Sequence, residues 1–321
     1  MGRVLHDSVG TGRHPARVSY NMKLLPLVLV LAYQDQPTFR SEVALVHVDA
    51  EVRVEDRLID GLAKEDFRIT DNGKPREILY FGHTEEPLDV ILLFDTSASM
   101  YPVVARVAET ARAALDELRQ GDRVAVMAFD ADTDLILDFT KDFAVVEQAI
   151  RERVLRRHFI PNSQLQKGLN DAALHFLSQR SSGSRRAVLA VTDNLGSGRA
   201  SQALRNLWEA DAVAAGLVIR NPAMTVYFRI VRPLSIVMGG MSDVAERTGG
   251  DMLNADDAGS GFRQMIQRLR QRYSLHYAMP ESKPGEQRKI RVELSSEAFQ
   301  RYKGAKVHAR SGYVVAASPP R

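Results

Sequence analysis

Val90-Ile91-Leu92-Leu93-Phe94-Asp95-Thr96-Ser97-Ala98-Ser99 is the stretch that decides the fold. Five apolar residues run unbroken into an acid, a threonine and two serines. A short apolar run with that ending reads as a buried strand leaving a sheet. In open α/β sheets, ligands bind outside the carboxyl ends of the strands. One carboxylate and two serine hydroxyls are thus delivered together to the place where such folds do their work. Oxygen-only donors of this kind suit a hard divalent cation, Mg²⁺ before Zn²⁺.

Asp-x-Ser-x-Ser at a strand end resembles the metal-ion-dependent adhesion site of von Willebrand factor type A domains. The resemblance implies a hydroxyl from a second loop and a carboxylate from a third. A second apolar strand, Ala187 to Val191, runs into Thr192-Asp193-Asn194, where the family usually has Thr-Asp-Gly. Asn tolerates the left-handed conformation better than most residues, so the change is mild. The second-loop hydroxyl of the family is a Thr that opens a helix, with Ala-Leu five and six residues on. Here Ser163 opens the helical pattern Leu165, Leu169, Ala172, Phe176, and Gly168-Leu169 fall where Ala-Leu stands. Ser163 keeps the oxygen but loses the β-branch that stiffens a Thr rotamer, which bears on metal affinity more than on metal identity. The metal set implied is Asp95, Ser97, Ser99, Ser163 and Asp193, holding Mg²⁺ or Mn²⁺, with no catalytic residues.

The chain has 321 residues, 45% of them hydrophobic, which is enough for about two domains. Cys is absent, so disulfides, thiolate metal sites and a Cys nucleophile are excluded. The formal net charge of +3 does not call for nucleic acid. The charge is unevenly spread. Residues 41–90 hold 6 basic and 13 acidic side chains, net −7, whereas 262–321 hold 13 basic and 4 acidic, net +9. The two ends of the chain are electrostatically complementary.

Lys23 precedes the apolar run Leu24 to Ala32, with Arg3, Arg13 and Arg17 upstream. A basic segment and an apolar core too short to span a bilayer comfortably read as an export signal over 1–32. Met22 serves equally well as a start. The expected location is periplasmic, envelope-associated or extracellular, with no membrane span beyond the signal.

Residues 42–55 alternate apolar and polar, as one long half-buried strand or two short ones. Phe67 to Thr70 and Glu77 to Phe81 flank Asp71-Asn72-Gly73, a hairpin signal because Asn-Gly supplies positive φ angles. From Leu88 the texture changes to strands alternating with helices, the mark of a parallel sheet covered on both faces. Strands are expected at 123–129, 135–139 (an edge) and 212–219. Helices are expected along Val103 to Leu118, at 145–154, 163–179, around 202–210, at 242–248 stopped by Gly249-Gly250, and along Phe262 to Leu269. The C-terminus returns to strands at 273–278, 289–294 and 305–315. The outer segments and the closing Ala309-Arg310-Ser311-Gly312-Tyr313 resemble the bacterial secreted VWFA-related proteins.

Other motifs are weaker. Asp130-Ala131-Asp132-Thr133-Asp134 lacks the Gly and Glu of an EF-hand loop, having Leu135 and Lys141 there, and reads as a solvated turn with Asp130 near the metal face. Arg156-Arg157-His158 reads first as a solvated helix end, second as a cationic rim for an acidic partner. The eight His show no zinc spacing such as His-x-x-x-His, and the serines lie in no Gly-x-Ser-x-Gly elbow.

These readings give an α/β fold, a Rossmann-like doubly wound sheet of von Willebrand A type. Beside it stands a β module formed by N- and C-terminal strands. The expected segments are 1–32 signal peptide, 33–87 N-terminal β, 88–272 A-type domain and 273–321 C-terminal β. The resemblance implies a non-enzymatic, metal-dependent binding or adhesion protein that engages a carboxylate of a protein or other macromolecule. The alternatives are a metal-assisted hydrolase and a structural envelope component with the A domain as scaffold.

Overall fold

A computed structural model of the chain describes residues 44–83, 86–159, 163–179, 183–193, 200–219 and 240–316. The expected signal segment, the residues that follow it to 43, and Asn194 lie outside the described residues.

The chain opens with β1 (Leu45–Val54), β2 (Arg57–Leu58), β3 (Phe67–Asp71), β4 (Lys74–Arg76) and β5 (Tyr80–His83). β6 (Leu88–Asp95), α1 (Tyr101–Leu115), β7 (Arg123–Phe129), β8 (Thr133–Thr140) and α2 (Phe143–Ala149) follow. Then come α3 (Leu165–Ser178), β9 (Arg185–Val191), α4 (Ser201–Glu209), β10 (Ala212–Ile219), α5 (Met241–Thr248), β11 (Met252–Ala255) and α6 (Ala258–Arg270). The chain closes with β12 (Tyr273–Ala278), β13 (Gln287–Leu294), α7 (Ser296–Arg301), β14 (Lys306–Ala309) and β15 (Gly312–Val314).

The central sheet has the order β11-β10-β9-β6-β7-β8, parallel except for β8 at one edge. Both faces are covered. Val90, Leu92 and Phe94 of β6 pack with α1, α2 and α6, whereas Ile91 and Leu93 pack with α3, α4 and α5. Burial on both sides is why β6 reads as a continuous apolar run rather than an alternating one. α5 ends at Thr248 because Gly249 takes the left-handed conformation, φ 84°. α2 stops at Ala149 and runs on as a π turn, Ile150–Val154, inside the single helix expected there.

The outer strands fold together as two antiparallel sheets. One is β14-β1-β12-β5 with β2 against β1; the other is β15-β13-β3-β4. Each mixes strands from both ends of the chain. Val46, Val48, Ala50 and Val52 of β1 meet Phe67, Ile69, Ile290, Val292 and Tyr313 in a shared core. The hairpin expected at Asn72-Gly73 is present, with φ of 46° and 77°. Its second arm, however, is Lys74–Arg76, with Pro75 tolerated on the sheet edge. Tyr80–His83 leaves for the other sheet and pairs with β12. The segment 305–315 is likewise two strands, split at Arg310-Ser311 between the two sheets.

The polar face of β1 is not solvated. His47, Asp49, Glu51 and Arg53 lie against the amino ends of the central strands. Asp49 pairs with Arg185 at 3.5 Å, and Glu51 with Arg272 at 3.1 Å. Arg53 pairs with Asp251, which also takes Arg268 at 2.7 Å. The charge imbalance between the chain ends is used inside the β module as well, where Asp71 meets Arg288 at 2.8 Å and Asp66 meets Arg301 at 2.7 Å.

Candidate metal centre

Three loops at the carboxyl end of the central sheet bring the five candidate residues together. The first follows β6. Thr96 donates both its N–H (2.8 Å) and its hydroxyl (3.0 Å) to the Phe129 carbonyl, fixing the loop to the end of β7. A 3-10 turn over Ala98–Met100 then enters α1, with Pro102 in its first turn where no N–H is needed. Ser97 and Ser99 are thereby held with their hydroxyl oxygens 3.3 Å apart.

Asp95 is the hub. It is fully buried and accepts from the Ser97 N–H at 2.9 Å, the Ser163 hydroxyl at 3.0 Å and the Thr192 hydroxyl at 2.9 Å. Ser99 donates to Asp193 at 2.7 Å. All five side chains named from the sequence therefore belong to one connected cluster. Thr192 is a sixth member; it stands beside Asp193 in the same Thr-Asp-Asn stretch, and that adjacency was the available signal.

Ser163 is placed by packing. The Gln164 N–H donates to the Asp130 carbonyl at 2.8 Å, which hangs the start of α3 from the loop after β7. Gly168, one turn further on, crosses the Phe129 ring so closely that a β-carbon there would lie 2.9 Å from the ring. The glycine that replaces the family's alanine is thus matched to a large aromatic beneath it. Asp130 lies at the edge of the cluster, 3.3 Å from the Thr96 hydroxyl. Arg157 forks between Asp130 (3.2 Å) and Asp134 (2.7 Å), so this arginine is a tie between loops, while Arg156 and His158 are exposed.

Burial pushes the Asp95 carboxyl up to about 6, and the nearby Asp193 charge adds to this; hydrogen bonds from Ser97 and Thr192 oppose it. Asp130 moves the other way: the Asp132 backbone N–H and Arg157 outweigh its burial penalty. Among the described residues no basic side chain pairs with Asp95. Two carboxylates and three serine hydroxyls, all hard oxygen donors, fit a small divalent cation better than a soft one.

Residues 90–197 match the family model of the von Willebrand factor type A domain. No curated protein matches the chain. Among solved structures, an aerotolerance-related membrane protein from Bacteroides fragilis shares 16% identity at a TM-score of 0.44, covering 57% of this chain and 98% of its own. BatB from Bacteroides thetaiotaomicron shares 18% identity at 0.44, covering 57% and 97%. A von Willebrand factor type A protein from Catenulispora acidiphila shares 13% identity at 0.43, covering 87% and 76%. The strand endings that bring Asp95, Ser97, Ser99 and Asp193 together all fall inside the matched span, and the chain therefore carries a von Willebrand factor type A domain.

Proposed function

We propose that this chain is a metal-dependent binding protein of the cell envelope or extracellular space, and not an enzyme. Asp95, Ser97, Ser99, Ser163 and Asp193 hold Mg²⁺ or Mn²⁺, and a carboxylate of a macromolecular ligand completes the coordination. The observation that carries the reading is the convergence of three loops on one buried carboxylate, Asp95, which accepts from the Ser97 N–H and from the Ser163 and Thr192 hydroxyls, with Ser99 bonded to Asp193 beside it. Ser97, Ser99 and Ser163 would offer hydroxyl oxygens to such a cation, and Asp95 and Asp193 would supply the negative charge. Ser97 and Ser99 then share a loop whose geometry β6 and α1 already set, so little ordering is needed. Beside the cluster, exposed Tyr101 stands edge-on to Phe159 at 5.2 Å and offers apolar area next to the charged centre.

The test has two arms. Calorimetry with Mg²⁺ should show one site in the wild-type chain and none in Asp95→Ala. Capture of envelope proteins by the immobilised chain should succeed in Mg²⁺ and fail both in chelator and with Asp95→Ala. Capture that persists in chelator, or Mg²⁺ binding that persists in the variant, sinks the reading.

A further inference from the structure

A second cluster of metal-ligating side chains lies at the other end of the domain. β1 and β12 pair antiparallel in a register that sets His47 directly opposite His276. Both rings therefore stand on one face of the sheet, the face turned to the central domain, with centroids 4.8 Å apart. Glu86, just before β6, reaches the same place. Its Oε1 is 3.5 Å from His276 Nε2, and its Oε2 accepts a 2.7 Å hydrogen bond from Ser274. One ligand atom from each of His47, Glu86 and His276 lies within 4.8 Å of the other two.

His47 is oriented from behind. Its Nδ1 bonds Asp211 Oδ2 at 2.8 Å, and this turns Nε2 toward Ser274 Oγ, 3.3 Å away. Histidines that ligate metals almost always give their other ring N–H to a carboxylate or carbonyl, and Asp211 fills that role here. Asp49 Oδ1 also stands 3.5 Å from His47 Nε2 and is shared with Arg185. A pocket of about 360 Å³ opens in front of the three side chains, bounded further by Ser184, Arg186 and Glu209.

We propose that His47, Glu86 and His276 form a Zn²⁺ site whose fourth coordination position faces this pocket. Two imidazoles and one carboxylate are a borderline donor set, suited to Zn²⁺ and poor for Mg²⁺. Tetrahedral Zn–N bonds of ~2.0–2.1 Å put ligand atoms roughly 3.4 Å apart. The three atoms, within 4.8 Å of one another, need to draw in by up to about 1.4 Å, which side-chain rotation of partly exposed groups supplies. Asp49 and Asp211 stand beside His47 as acidic neighbours of the site, Asp211 being shared with Arg310 at 2.8 Å. The consequence of Zn²⁺ binding is mechanical: the segment leaving β5 for β6 becomes tied to β1 and β12. The site shares no residue with the Asp95 cluster and lies at the opposite end of β6, roughly 25 Å away at the rise of a strand. It stands independently of the function proposed above.

The experiment is Zn²⁺ calorimetry on the full chain in excess Mg²⁺, with Co²⁺ absorption as a report of tetrahedral geometry. Wild type and Asp95→Ala should each take one Zn²⁺. His276→Gln and Glu86→Gln should weaken it at least about 100-fold and lose the tetrahedral Co²⁺ spectrum, with circular dichroism unchanged. Asp211→Asn should weaken binding about 10–100-fold. Asn adopts the positive φ of 53° at this position, so the backbone there is preserved. Three results overturn the proposal. The first is no Zn²⁺ uptake by wild type, which leaves the trio an ion-pair network only. The second is equal uptake by His276→Gln and Glu86→Gln. The third is uptake lost in Asp95→Ala but kept in His276→Gln, which places zinc in the first site.

Discussion

Arg272→Met removes the cation at the centre of the contact between the β module and the central domain. Arg272 is 2% exposed and its partner Glu51 1% exposed, so solvent screening does not soften their interaction. The guanidinium donates to Glu51 Oε2 at 3.1 Å and to the carbonyls of His308 (3.2 Å) and Gly249. Three elements far apart in sequence thus share one side chain. Removing one partner of a buried pair costs about 3–5 kcal/mol, because the other charge is left uncompensated. Arg53, 3.6 Å from Glu51 Oε1, takes up some of that charge, so about 3–4 kcal/mol is the expected loss. Adding Glu51→Leu removes the orphaned carboxylate. The double variant should then keep only the cost of two unpaired carbonyls, about 1–2 kcal/mol, and be more stable than the single one. Urea unfolding followed by tryptophan fluorescence is a suitable assay, because Trp208 is the chain's sole tryptophan. It packs in α4 against Val314 of β15, at the same contact between module and domain. At a slope of about 2 kcal/mol/M, the single variant's midpoint should fall by about 1.5–2 M. A fall below about 0.5 M, or a double variant less stable than Arg272→Met, refutes the argument that the uncompensated charge dominates.

Two contributions to stability should be lost in stages on acidification, while Asp95, pushed up to about 6, works in the opposite sense between about pH 6 and 4 because the folded chain protonates it first. Burial and the Arg53 charge hold His308 down to about 4, with Arg272 and Lys306 adding and Asp251 opposing. The unfolded chain protonates first, so stability is lost as pH falls from about 6.5 to about 4. Asp251 is held below its usual value against its burial penalty by the hydrogen bond and charge of Arg53. Its contribution is therefore present above about pH 4 and lost below that. Thermal melts from pH 8 to 3 check both stages, and His308→Asn should remove the first. Gly168→Ala gains about 1 kcal/mol of helix propensity but presses a methyl on Phe129, costing about 1–3 kcal/mol. It should leave stability lowered by up to about 2 kcal/mol, and Mg²⁺ affinity lowered as Ser163 shifts; chemical denaturation and calorimetry measure the two. Ser163→Thr should leave Mg²⁺ affinity unchanged or raise it, since the same oxygen is offered with less rotamer freedom. A large calorimetric loss of affinity would count against Ser163 as a ligand.

The sequence by itself determined the parallel sheet, the ends of its strands and the cluster at those ends. The reason is local: a strand buried on both faces must be apolar throughout, and the polar residues that follow it are confined to one loop. Asp95, Ser97 and Ser99 are contiguous, and Asp193 closes a second such strand. The left-handed pair Asn72-Gly73 was legible on the same ground, since few residues accept that backbone. Other features became visible only in the tertiary structure. β11 has a weak apolar pattern and is a strand because β10 offers it a parallel edge. The alternation of β1 reads as half-solvated, yet its acidic residues are buried, because Arg185 of β9 and Arg272 before β12, each more than a hundred residues away, neutralise them. Glu77 to Phe81 reads as the second arm of a hairpin, but β12 competes for Tyr80–His83 and wins the pairing. His47 and His276 carry no spacing signal, since a strand register, and not proximity in the chain, sets them face to face. Backbone conformation and burial leave a local mark in the sequence, whereas which distant strand pairs with which is a choice among many similar edges, made only when the whole core is packed.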